Sequence, residues 1–296
     1  MPTTSGLGRP LLALVALAIA LLVATTPAQA KSKRAVVEVQ TVRVAEPGNP
    51  SVGVVPFTDA VYQSCADAPS SSGPACLEIG GVDYRYRIGQ LEITVEQWVA
   101  FLNTVDPKAR NRARLYAGSQ SSTRWPQYGQ VNRSRSAPAG KRYSVSSSAW
   151  ADKPYGFASF LSAARFVNSL DNGRLLSKEN STEGGFKYTT YKVRLARKSG
   201  RGMYDLRRRK ATRTHRRGFV VPSQDEWVKA AYFDPTGGGT YSYWKYPTNP
   251  GVFGDQYATA PSGTALDFST GDVTNAATQP LANYRIAGLD LSLIHI

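Results

Sequence analysis

The chain has 296 residues, enough for one large domain or two small ones with a sizeable core. Its formal charge is +15, with only two histidines and two cysteines. Two histidines, His215 and His295, weigh against a multi-histidine metal centre and against a serine–histidine hydrolase.

Residues 1–30 read as an export signal. Arg9 gives a basic start, Leu11 to Ala24 is an unbroken apolar run, and Ala28-Gln29-Ala30 is a small-x-small cleavage site. Fourteen apolar residues fall short of the ~20 needed to span a bilayer. The mature chain is expected to begin after Ala30 with a charge of +14 and no later membrane anchor, placing it in the cell envelope or outside the cell. In that oxidising setting Cys65 and Cys76, in the 31–82 leader, are expected to form a local disulfide contributing roughly 3 kcal/mol. A metal or redox pair would call for a C-x-x-C spacing or a nearby histidine, and neither is present.

The mature elements follow in order. Ala35 to Val44 alternates like a strand, as does Val52 to Phe57, and Asp83 to Ile93 reads as a strand pair turning near Gly89. Thr94 and Gln97 are spaced as a capping box. Trp98, Phe101, Leu102 and Val105 follow at i, i+3, i+4, i+7, and Pro107 ends that helix. Residues 108–150 lack periodicity and read as loop. A second helix is predicted from Ser159 to Leu170, with Ala163, Phe166, Val167 and Leu170 inward and Asn172-Gly173 as a left-handed stop. Phe219 to Val221 is a short β-type run. Ser223 and Glu226 cap a third helix carrying Trp227, Ala230 and Ala231 on one face, closed by Asp234, Pro235 and Gly237 to Gly239. Three short helices, short strands and much irregular backbone predict an α+β domain dominated by loops.

The charge is uneven. Lys108 to Arg142 holds nine basic residues and no acidic one, and Lys192 to Arg217 holds twelve against Asp205. The quartet Arg207, Arg208, Arg209 and Lys210 is the densest run. Arginine interleaved with aromatics suits a polyanion such as a sulfated glycan or an anionic lipid surface. The alternative is a solvated insertion. Export, and the lack of a recognisable motif, make nucleic acid the least favoured partner.

Three segments together resemble the sulfatase-modifying-factor family, whose best-known member is the formylglycine-generating enzyme. They are YRIGQLEITVEQWVAFLN (86–103), KPYGFASFLSAARFVNSL (153–170), and VPSQDEWVKAAYF (221–233) with the later YWKYPT (243–248). The resemblance spans about residues 83–288 and implies a loop-rich C-type-lectin-like fold, calcium and copper as cofactors, and a sulfatase-like protein as substrate. Glu92, Trp98, Phe166, Glu226 and Trp227 stand at family-marked places. Their residue-level reading is structural: a strand-end hydrogen bond for Glu92, a cap for Glu226, and core for the aromatics. Asn283 and Tyr284 look like the start of a calcium site, which needs about six to eight oxygens. The family's copper-binding cysteine pair lies beyond the YPT region, and Cys65 and Cys76 do not correspond to it. The domain is therefore read as incomplete at its C-terminal end, with residues 289–296 departing from the pattern as a non-native tail. The family's iron-dependent sulfoxide synthases hold their metal with a histidine cluster, which this chain lacks. Two functions remain open: a formylglycine-generating oxidase, whose catalytic part lies outside this chain, and a non-catalytic lectin-like binding module.

Overall fold

The computed structural model describes residues 34–55, 61–62, 64–70, 75–121, 129–183, 186–207, 211–214, 217–235 and 243. The export segment 1–30, residues 208–210, the glycines at 237–239, Asn283, Tyr284 and the tail 289–296 lie outside them.

The main sheet is antiparallel and four-stranded, in the order β5 (Tyr86–Gly89), β1 (Val36–Val44), β9 (Phe186–Arg194), β8 (Arg174–Glu183). The alternation predicted for β1 is present and serves both faces of the sheet. Val37 and Val39 point to the side covered by α1 (Val95–Val105) and α2 (Phe160–Asp171). Val42 and Val44 point to the other side, where they pack with Tyr86, Ile88 and the alanines of α3 (Gln224–Tyr232). Around this sheet stand a small sheet of β2 (Val52–Val54), β3 (Val61–Tyr62) and β4 (Leu77–Ile79), and a hairpin of β6 (Val131–Arg133) and β7 (Tyr143–Val145). The architecture is mixed helix and antiparallel sheet, compatible with the α+β class. Among the described residues no helix is long and apolar enough to cross a membrane.

All three helices start where the sequence predicts them, two of them at a cap spacing. Thr94 and Gln97, and Ser223 and Glu226, form reciprocal capping boxes, and the Ser159 side chain accepts from the Ser162 N–H. The Cys65–Cys76 disulfide is formed, with Cα atoms 5.5 Å apart.

Five expectations are corrected. Residues 83–93 contain one strand, not a pair: β5 pairs with β1 as far as Gln90, and beyond it the chain turns away. The Gln90 N–H donates to Gln40 O (2.8 Å), and Ile93 O accepts from the Tyr155 N–H (2.9 Å). Residues 108–150 contain the β6–β7 hairpin and two 3-10 turns, whose three-residue spans are too short to show periodicity. The expectation of short strands fails at the β8–β9 hairpin, whose strands of ten and nine residues lead into the basic segment at Lys192. Every residue of β8 but Ser177 is exposed, so the strand carries no apolar alternation to read. Phe219–Val221 is not a strand; only Val220 makes an isolated bridge. Finally, α2 does not stop through a left-handed residue, since Asn172 is right-handed (φ −77°, ψ −3°). Gly173 is required there by close approach: a Cβ would lie 2.7 Å from Arg194 O and from Leu170 O.

Candidate functional site

Trp98 and Phe166 meet in the core between α1 and α2. Trp98 is 2% exposed and stacks on Tyr155 (ring centroids 4.3 Å apart) and Phe166 (5.6 Å), while Phe101 closes on Phe166 edge-on. Burial pushes the Tyr155 hydroxyl well above its ordinary range. Trp227 is half-buried and lies on the other face of the sheet, touching the two small clusters that α3 organises. The two indoles thus anchor different packing regions, which the helical spacing of each segment does not reveal.

Glu226 is wholly buried, and its carboxylate is saturated. Oε1 accepts from Tyr84 Oη (2.6 Å) and Arg213 Nη1 (2.8 Å). Oε2 accepts from Arg213 Nη2 and from the Ser223 N–H (2.6 Å). Its backbone carbonyl accepts from Tyr86 Oη. The Glu226 carboxylate holds Arg213 further into its charged form than usual. Burial, then the hydrogen bond to Glu226, pushes Tyr84 up to about 12. The capping role read from the sequence is present. The arginine fork and the tyrosine come from 13 and 142 residues away in the chain, and no local pattern announces them.

One turn further along α3, Lys229 is buried and donates from Nζ to Glu46 O (2.7 Å) and Val82 O (3.2 Å). Burial lowers its affinity for the proton.

Glu92 lines a cleft of about 240 Å³ with Glu38, Gln40, Thr94, Gln97 and Thr190. Burial raises its carboxyl above the usual range, opposed by a hydrogen bond from its own backbone N–H. Across the cleft Gln97 Nε2 donates to Glu38 O (2.7 Å), and Glu38 pairs with Lys192 (2.6 Å).

The second basic segment is held in place by two asparagines, Asn168 on the last turn of α2 and Asn172 at its C-cap. Asn168 is fully buried and clasps both sides of the loop. Its Nδ2 donates to Ser199 O (3.0 Å) and Tyr204 O (2.9 Å), and its Oδ1 accepts from the Tyr204 N–H (2.8 Å). Asn172 Nδ2 reaches Lys198 O (3.1 Å) and Arg201 O, and Ser169 Oγ donates to Ala196 O (2.6 Å). Tyr204 Oη closes the far end against the Val221 N–H (3.1 Å). On this pinned backbone Lys198 and Arg201 are exposed, and half-buried Arg165 of α2 approaches Gly200. Arg207, the one described member of the predicted quartet, is forked onto Asp205 (Nε–Oδ1 3.0 Å, Nη2–Oδ2 2.8 Å). In the sequence Asn172 reads only as part of a helix stop and Asn168 carries no mark; their contacts need the folded loop.

Among the described residues no three His, Cys, Asp or Glu gather as a metal-binding group. The implied calcium ligands Asn283 and Tyr284 lie outside those residues. Cys65 and Cys76 are bonded to each other, so they offer no thiolate and do not fit copper. No protein-family model, no curated protein and no solved structure matches this chain.

Proposed function

We propose that this chain is an exported domain resembling the formylglycine-generating enzyme, with a C-type-lectin-like scaffold, and that it works as a binding module for a polyanionic glycan of the cell envelope. One observation carries the reading. The loop from Ala196 to Tyr204 presents Lys198 and Arg201 to solvent on a backbone fixed by Asn168 and Asn172. A prearranged cationic surface loses less entropy on binding than a free basic tail.

Heparin affinity chromatography tests it. The protein should be retained at low salt and released as ionic strength rises. Each exposed cation near an anionic surface contributes about 1 kcal/mol, close to fivefold in affinity. Lys198→Ala with Arg201→Ala should therefore shift elution to clearly lower salt. Arg207→Ala should shift it less, because Asp205 already engages that guanidinium. Retention that ignores salt, or a double variant that elutes with the parent, would sink the proposal.

A second reading is favoured by the three capped helix starts, which fall within the family-like segments. It assigns the protein to the oxidation of a cysteine in a sulfatase-like protein to formylglycine. Copper would then need ligands other than Cys65 and Cys76. The protein, given copper, oxygen and a sulfatase-motif peptide, should yield the aldehyde by mass spectrometry; a peptide cysteine left intact rules the reading out.

A further inference from the structure

β1 and β5 run antiparallel with Arg43 directly opposite Arg87. Opposed residues of such a pair leave the same face of the sheet with Cβ atoms about 4.5–5.5 Å apart, and like charges so placed repel. On β9, Tyr188 pairs with Val42, so Lys187 continues the same cross-strand row as a third cation. Among the described residues none of the three has a carboxylate partner. Arg87 Nη1 is moreover buried without a hydrogen-bond acceptor. The register cannot slip to relieve this. The neighbouring residues Val42, Val44, Tyr86 and Ile88 fill the opposite face against α3, and a one-residue shift would turn them all outward.

A row of cations locked in register, with one desolvated donor left unsatisfied, is costly unless a ligand supplies the missing charge and acceptors. We propose that Arg43 and Arg87, flanked by Lys187, form a binding site for a tetrahedral oxyanion, a sulfate or phosphate group. The planar guanidinium fork matches two oxygens of such a group, and half-buried Arg87 would turn its guanidinium outward to bring Nη1 to an acceptor. The site lies on the sheet, apart from the loop at Lys198 and Arg201, and does not rest on that loop binding a polyanion.

Thermal unfolding of the full chain in sodium sulfate, sodium phosphate and sodium chloride at matched ionic strength tests the site. The melting temperature should rise saturably with sulfate, with phosphate or with both, and the responding arm identifies the oxyanion. Arg43→Gln and Arg87→Met should each weaken that response at least tenfold in apparent dissociation constant. In chloride, Arg87→Met should melt at or above the parent, because the uncompensated donor is gone. Lys198→Ala with Arg201→Ala should leave the response unchanged. A rise that is linear in sulfate and equal in parent and variants reflects general exclusion of sulfate from the surface and overturns the proposal. So does Arg87→Met melting below the parent in chloride. If Arg87→Met does not fold, exposed Arg43 decides: an undiminished saturable response in Arg43→Gln overturns the site.

Discussion

Glu226→Ala is expected to destabilise the protein by about 3–5 kcal/mol, the range for breaking a buried ion pair from one side. The carboxylate is 0% exposed, and its removal strands Arg213, whose side chain is only 29% exposed. Tyr84 Oη and the Ser223 N–H lose their acceptor in the same step. Chemical denaturation of Glu226→Ala beside Ser223→Ala separates the roles. Loss of an N-cap side chain costs about 1 kcal/mol, so equal losses in the two variants would reduce Glu226 to a cap. The network also has an alkaline limit. Tyr84 is pushed up to about 12 by burial and by its hydrogen bond to Glu226, so the folded state holds the phenolic proton more tightly than the unfolded chain does. Its contribution is fully present below the ordinary tyrosine value near 10 and is lost as pH rises through about 12. Tyr84→Phe should flatten the stability profile over that window, and a slope unchanged by the substitution would refute the assignment.

Trp98→Ala should cost about 3–5 kcal/mol as well, by a different mechanism. The indole is sandwiched between Tyr155 and Phe166, and its loss opens a cavity where α1, α2 and the segment before α2 meet. Trp98→Phe, which keeps an aromatic ring in the stack, should recover much of the loss. Trp227→Ala should cost less, because that indole is half-buried at the edge of two small clusters. Urea titrations of the three variants check the order. A Trp227→Ala loss equal to that of Trp98→Ala would contradict the packing described for α3.

These contrasts show why equal sequence marks carry unequal weight. Trp98 and Trp227 occupy similar places in their helices, four residues beyond their caps at Thr94 and Ser223, yet α1 and α3 pack on opposite faces of the sheet. What decides between them is β1, whose odd and even residues face different partners. The candidate binding surface divides in the same way. Its charge is evident from composition alone, but the order of the loop depends on Asn168 and Asn172. Their acceptors lie 26 to 36 residues further on and become neighbours only once the loop folds back over α2. Arg207, conspicuous as part of a basic run, turns out to be engaged by Asp205 two residues before it.

The sequence by itself determined the three helices and their starts, the inward faces of α1 and α2, the first strand of the leader and the disulfide. These rest on caps, 3.6-residue spacing, alternation and a short loop between two cysteines, all of which act within a few residues. Only the tertiary structure decided that 83–93 holds a single strand, that a long hairpin leads into the basic segment, that Glu226 is shared with Arg213 and Tyr84, and that Arg43 faces Arg87. Each of these is a pairing across long stretches of chain, where the partner is chosen by burial and register and leaves no periodic trace in either segment alone.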